Sequence, residues 1–282
     1  MAVGVKVGDA EVFALFDGRH PFNLEWHYPS IGDEQWAPYT ETGPKDLNFG
    51  AFLVKLDGTT ILVDTGWGPQ FAPPGGLESA PQLLDELASI GVAPEDVDVV
   101  ALTHIHPDHI GWNLIVGDDG SVAPRFPNAR YLVPEDDVDH YRRRVDAGER
   151  IHPSIIEQGL GLTALDVTEL VRDGHEVVPG LRAVHAPGHT PGHTLYVLDS
   201  AGERFVVLAD IAHHPAVLHE TDWVQSFDWE PEQARENRER LLAEFEESGC
   251  LLAAGHFPYP SLGRIGRDED GRRVWIEEDL NA

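Results

Sequence analysis

Residues 102–112, Leu-Thr-His-Ile-His-Pro-Asp-His-Ile-Gly-Trp, place three histidines and an aspartate within six positions, directly after an apolar run. Imidazole and carboxylate at that density do little for core packing, and both are good ligands for a divalent cation. In extended backbone, alternate residues point to the same side, so His104 and His106 can hold one ion. Pro107 stiffens the loop, and Asp108 and His109 are then free to point toward a second. Three further candidates, His189, Asp210 and His256, each stand at or just beyond the end of an apolar run. The total is five histidines and two aspartates, too many for one four-coordinate zinc and about right for two ions sharing a bridge. The only cysteine, Cys250, lies in apolar surroundings and reads as a small buried hydrophobe, so a thiolate site is excluded.

The elements that carry these residues can be read from periodicity. Apolar runs at 97–103, 181–186, 203–209 and 250–255 read as strands, and each leads into one or more of the candidate ligands. Ligands of open α/β sheets collect beyond the carboxyl ends of strands, so residues distant in sequence can converge there. Residues 51–66 read as a hairpin turning at Asp57-Gly58. Segments 129–134, 193–200 and 272–278 read as further strands. Leu83, Leu84, Leu87 and Ile90 form a helical stripe in 79–90; 135–146 reads as a polar helix and 230–248 as a long one, with Pro231 near its start. Segments 37–46 and 68–76 are Pro- and Gly-rich loops, and 266–273 is an exposed turn. The expectation is a layered α/β protein, one domain over residues 1–282 made of two αβ halves that meet near residue 170.

Charge narrows the partners. The 282 residues hold 49 acidic and 20 basic side chains, a formal charge of −29. Nucleic acid and anionic membrane surfaces would be repelled. The plain reading is a soluble acidic surface; adaptation to high salt is the sharper one. No apolar run approaches the ~20 residues of a membrane span, and the N-terminal stretch does not read as a leader peptide. The expected location is the cytoplasm and the expected partner a small molecule.

The motifs Thr-His-Ile-His-Pro-Asp-His, Pro-Gly-His-Thr-Pro-Gly-His, Leu-Ala-Asp and Ala-Gly-His-Phe-Pro, in this order, resemble the metallo-β-lactamase superfamily. Ile-Leu-Val-Asp-Thr-Gly-Trp-Gly (61–68) resembles that superfamily's early strand and turn. The resemblance runs from about residue 10 to 278. It implies a four-layer αββα sandwich with a dinuclear centre at one edge. One ion would take His104, His106 and His189, the other Asp108, His109 and His256, with Asp210 as the bridge. Asp64 would brace the metal loop, Thr103 would support it, and His193 would have a structural role. Zinc is the expected metal, with manganese, cobalt or iron as alternatives.

The activity so implied is hydrolysis: a hydroxide shared by the ions attacks a lactone, ester or phosphotriester of a small, fairly apolar substrate. Asp108, Asp210 and His213 are the expected catalytic residues. Asp108 would orient the water or relay its proton. Acyl-homoserine lactonases usually carry a Tyr where His213 stands, and the segments around Asp210 and His256 look closer to the methyl parathion hydrolase and lactonase/esterase branch. His213 or His214 would donate a hydrogen bond to the substrate. Trp67, Trp112 and Phe257 are expected to line an apolar pocket, and Trp26 and Trp36 to be core aromatics. His20, His27, His140, His152, His175, His185 and His219 read as surface or core residues without a ligand role. Alternative readings within the fold are a mono-iron sulfur dioxygenase and a glyoxalase-II-like thioesterase; a nuclease, a binding module and a true β-lactamase fit the motifs and charge less well. Relatives in the hydrolase branch are often dimers, which makes a homodimer the expected assembly.

Overall fold

A computed structural model describes residues 2–40, 43–117 and 119–280. Of the segment 37–46 read as a loop, residues 41 and 42 lie outside the described residues, as does residue 1 of the N-terminal stretch.

In chain order the strands are β1 (Val3–Val7), β2 (Ala10–Pro21), β3 (Asp46–Leu56), β4 (Thr59–Val63), β5 (Val99–Ala101), β6 (Leu114–Val116), β7 (Val122–Pro124), β8 (Arg130–Pro134) and β9 (Thr168–Val171), followed by β10 (Glu176–Val178), β11 (Leu181–His185), β12 (Thr194–Ser200), β13 (Glu203–Val207), β14 (Leu251–Ala253), β15 (Leu262–Arg267) and β16 (Arg273–Glu277). The α-helices are α1 (Leu24–His27), α2 (Asp33–Trp36), α3 (Leu83–Ser89), α4 (Pro107–Ile110), α5 (Glu135–Asp146) and α6 (Pro231–Ser248). Two seven-stranded sheets result, ordered β1-β2-β3-β4-β5-β8-β9 and β10-β11-β12-β13-β14-β15-β16, with β6 and β7 as a separate hairpin. Pairing is parallel for β4/β5, β5/β8 and β8/β9 in the first sheet and for β13/β14 in the second.

Side chains alternate between two faces of each strand, and that alternation builds the layers. In β4, Ile61 and Val63 enter the core between the sheets, whereas Leu62 packs outward with Leu83 and Leu87 of α3. In β13 and β14, Phe205, Val207, Leu251 and Ala253 face the inner core, while Val206 and Leu252 pack against Leu241, Leu242 and Phe245 of α6. Strands covered on both faces must be apolar on both, which explains the unbroken apolar runs at 99–102 and 205–209. The order is therefore helix, sheet, sheet, helix: the expected αββα sandwich.

α6 shows how local sequence sets an element. Pro231 opens it and Gly249 closes it at φ +61°. Its buried residues, Ala234, Arg238, Leu241, Leu242 and Phe245, repeat at helical spacing along one face. The β3–β4 turn has φ +49° at Asp57 and +79° at Gly58, as an Asp-Gly hairpin turn needs. Residues 3–21, to which the sequence pattern assigns no element, form β1 and the twelve-residue β2 at the edge of the first sheet. β5 is shorter than expected, because beyond Ala101 the backbone leaves the strand and Thr103 hands its N–H to the Asp64 carboxylate at 2.8 Å. Among the described residues, no helix is long and apolar enough to cross a membrane.

One buried carboxylate ties this frame together below the loops. Asp17, on β2, accepts hydrogen bonds from Gly68 N (3.0 Å), Leu83 N at the start of α3 (2.9 Å) and Trp112 Nε1 (2.8 Å). Burial pushes its carboxyl pKa upward, and the three donors act against that rise. Asp17→Ala leaves all three donors buried and unpaired, at roughly 1–3 kcal/mol each. The expected result is loss of several kcal/mol of stability, read as a large fall in the denaturant midpoint, with a smaller fall for Asp17→Asn.

Candidate metal centre

The centre forms where four strand ends from the two sheets meet. After β5 the chain runs extended through Thr103 to His106 and turns into α4, with Pro107 as its first residue. Asp64, just past β4, holds this loop: its Oδ1 accepts Thr103 N and its Oδ2 accepts Thr103 Oγ1, both at 2.8 Å. The same Oδ2 accepts His109 Nδ1 at 2.8 Å. From the second sheet come His189, in the β11–β12 loop, Asp210, after β13, and His256, after β14.

Two ligand clusters result. His104 Nε2 lies 3.1 Å from His106 Nδ1, which lies 2.9 Å from His189 Nε2. Asp210 Oδ2 completes this group, 3.5 Å from His104 Nε2 and 3.1 Å from His189 Nε2. Its other oxygen, Oδ1, faces a second group, 3.3 Å from His109 Nε2 and 3.2 Å from His256 Nε2. Asp108 Oδ2 joins that group at 3.7 Å from His109 Nε2 and 3.6 Å from His256 Nε2. Tetrahedral zinc with bonds of 2.0–2.2 Å has ligand atoms about 3.3–3.6 Å apart. The second cluster, at 3.2–3.7 Å, matches that spacing, and the first, at 2.9–3.5 Å, is slightly tighter.

The hydrogen-bond state of each ring fits as well. His104 Nδ1 donates to Thr103 Oγ1 (3.0 Å), His109 Nδ1 to Asp64 (2.8 Å), His189 Nδ1 to Asp228 Oδ1 (3.0 Å) and His256 Nδ1 to the Asn48 carbonyl (3.0 Å). When each ring is neutral, as a ligand must be, its proton sits on Nδ1 and the Nε2 lone pair points into the cluster. His109 Nε2, His256 Nε2 and Asp210 Oδ1 are buried and have no hydrogen-bond partner among the described residues. Such groups are costly to bury unless something pairs with them, and two divalent cations would pair with all of them.

Electrostatics follow from this crowding. Burial, then the neighbouring His109, hold His104 well below its ordinary pKa; burial and His189 do the same to His106. Burial alone would also lower His189, yet the Asp210 and Asp228 carboxylates raise it to about 9. Asp210, whose burial works the other way, is driven well below the carboxylate range by His109, His213 and His256.

His193 has a positioning role. Its Nε2 accepts Asp210 N–H at 3.0 Å, and its Nδ1 donates to the Ala186 carbonyl at 3.0 Å. Two further carboxylates carry no motif in the sequence. Asp228 supports His189 and also pairs with the buried Arg238 at 3.5 Å. Asp137, in α5, accepts Ile105 N (3.1 Å), Thr190 Oγ1 (3.0 Å) and Gly192 N (2.6 Å), so it joins the loop of His104 to the loop of His189. Gly188 lets the second loop approach α6: at φ +137°, an added Cβ would lie 2.3 Å from Ala234 N.

Above the clusters is a cavity of about 480 Å³, with walls that include Trp26, Leu47, Phe49, Trp67, Pro73 and Phe227. Trp67 lines it. Trp112 and Phe257 do not: Trp112 packs under the loop with its indole N–H on Asp17, and Phe257 is fully buried against Trp275 beneath the second sheet. Trp26, read as core, is a cavity wall instead, as are His27 and His152; Trp36 packs in the core beside Trp223. His213 Nε2 lies 2.9 Å from Asp210 Oδ2, with its ring stacked on His256. His214 turns away, accepting Ala216 N on Nδ1 and donating from Nε2 to the Pro44 carbonyl.

Asp228→Asn keeps the shape and removes the charge behind His189. The expected result is a 10–100-fold weaker hold on the ion of the His104 cluster, measured by competition with a chromophoric chelator.

Comparison with known proteins gives a consistent picture. The family model described as the metallo-beta-lactamase superfamily matches residues 51–244. An N-acyl homoserine lactonase of Bacillus thuringiensis is 24% identical over 225 residues, 75% of this chain and 82% of that protein. Among solved structures, AidC, a dizinc quorum-quenching lactonase in complex with a product, is similar at a TM-score of 0.84 and 26% identity, over 99% of this chain and 97% of that one. The hydrolase AbOPH is similar at a TM-score of 0.81 and 26% identity, over 100% and 98%.

Proposed function

Because the chain belongs to the metallo-beta-lactamase superfamily, we propose that it is a dinuclear metal-dependent hydrolase that opens lactones carrying an apolar substituent. The observation that carries this reading is the Asp210 carboxylate, one oxygen turned to each of two ligand clusters at the floor of an apolar cavity. His104, His106, His189 and Asp210 Oδ2 would hold one ion, and Asp108, His109, His256 and Asp210 Oδ1 the other. Zinc suits this set of imidazole and carboxylate donors, as it does the dizinc relative. Two such ions, when bound, supply Lewis acidity for the carbonyl oxygen and make a water nucleophilic near neutral pH.

The chain's own residues do the rest. The apolar walls take up the substituent and exclude bulk water, which strengthens every polar interaction inside. Water adds to the carbonyl carbon and the ring C–O bond breaks, giving a hydroxy acid. Asp108 directs Oδ2 at the second cluster, so its Oδ1 is available to take the proton of the attacking water and return it to the departing alkoxide. His213 is neutral, since burial holds its pKa well below the ordinary value. Its Nε2–H rests on Asp210 Oδ2 and is placed to turn to the oxygen on which charge develops. A single, buried cysteine, Cys250, suits a reducing compartment, and we place the protein in the cytoplasm.

The test is a panel of γ-lactones, aryl esters and aryl phosphotriesters with zinc-loaded protein. Lactones should give the highest kcat/KM, by tenfold or more. Asp210→Ala should lose both bound metal and turnover; a metal-free Asp210→Ala protein that remains active would overturn the assignment. His213→Phe should keep two metals per chain and lose roughly 10²-fold in kcat, the scale of an oxyanion donor. A kcat unchanged in His213→Phe would remove His213 from the mechanism.

A further inference from the structure

His27 is a cavity wall whose ring is clamped from every side. Its Nδ1 lies 2.7 Å from the Asn23 carbonyl of the same turn. Phe22 stacks on one face, with centroids 4.9 Å apart, and Trp26 and Phe227 meet it edge-on at 5.0 and 5.8 Å. The backbone is held too, since Ser226 N donates to the His27 carbonyl at 2.9 Å. A carbonyl oxygen can only accept, so Nδ1 carries the ring proton. Nε2 is then a lone-pair acceptor with no hydrogen-bond partner among the described residues, and the residue opens onto the cavity. Burial keeps the ring neutral, with its pKa pulled down to about 4.

Most of the surrounding wall is hydrocarbon, so an acceptor fixed there is a selective feature. His152, also on the wall, accepts Ser154 N on Nδ1 at 3.3 Å and therefore carries its own proton on Nε2. Outside the metal clusters the cavity thus holds a neutral acceptor in His27 and neutral donors in His152 and in the Trp67 indole N–H, which is buried and has no hydrogen-bond partner among the described residues. An amide, with one N–H and one carbonyl, can use both kinds of group at once, which a plain alkyl chain cannot.

We infer that His27 is a specificity-determining residue, its Nε2 accepting the N–H of an amide through which the apolar chain is joined to the lactone ring. This rests on the lactonase reading above. A substrate lacking the N–H leaves the acceptor unpaired in a largely apolar cavity, and one such neutral hydrogen bond is worth about tenfold in kcat/KM.

The probes are three γ-lactones: one with an N-hexanoylamino substituent, its N-methyl amide counterpart, and one with an alkyl chain of equal length and no nitrogen. Wild-type protein with two zinc ions per chain should prefer the N–H lactone over each of the others by tenfold or more. His27→Phe should bring both preferences near unity, chiefly through KM, and His27→Gln, which restores an acceptor near the same position, should recover them. Equal rates for N–H and N-methyl lactones in the wild type overturn the inference whether or not the Phe variant folds. So does a preference that His27→Phe leaves intact. If the wild type cleaves aryl esters and opens none of the three lactones, the lactonase reading fails and the inference with it. If it opens all three without preference, only the inference fails.

Discussion

Asp210 is the constraint from which the rest follows. It is a carboxylate only 3% exposed, with the ring nitrogens of His104, His109, His189, His213 and His256 all within 3.5 Å. Burying one charge in a protein interior costs several kcal/mol unless it is paired. Here the pairing comes from imidazoles that are themselves buried, and which lose their own hydration in turn. Cations that take up the inward-facing lone pairs would relieve this knot, because they pair with the buried carboxylate and with the ring nitrogens at the same time.

Precision at Asp210 is supplied by elements that cannot easily move. Its backbone N–H is held by His193, whose other nitrogen is tied to Ala186. Ala209, just before it, sits at φ +47°, a conformation that alanine adopts only under the constraint of its surroundings. The four imidazoles that turn Nε2 into the clusters, His104, His109, His189 and His256, are each oriented from behind, by Thr103 and Asp64, by Asp228 and by the Asn48 carbonyl. Asp137 locks the two loops to one another. These supports lie at or near strand ends and helix starts, where regular structure fixes the backbone. A site built on such positions holds its geometry better than one carried on free loops.

The cavity above divides its labour in space. The floor is imidazole and carboxylate; the walls are aromatic and aliphatic, interrupted by the fixed nitrogen of His27 and by His152. A pocket of this composition discriminates mainly by shape and by a few fixed polar atoms. The net charge of −29 adds a long-range bias against polyanions, in keeping with an uncharged small substrate.

Local sequence by itself determined the periodicity of the layers, the four strand-end positions of the seven ligand candidates and the hairpin at Asp57-Gly58, because each follows from spacing within a few residues of chain. Tertiary structure decided what depends on which way an element faces after packing. Asp228 and Asp137 bear on the centre only because α5 and the segment before α6 are folded against the two loops. Trp112 and Phe257 are adjacent to ligand strands in sequence but face the cores, whereas Trp26 and His27, more than 70 positions before the metal loop, form the cavity wall. The assignment of one Asp210 oxygen to each cluster was likewise beyond any pattern of residues. It is set by how the two sheets stack, and no local spacing encodes that.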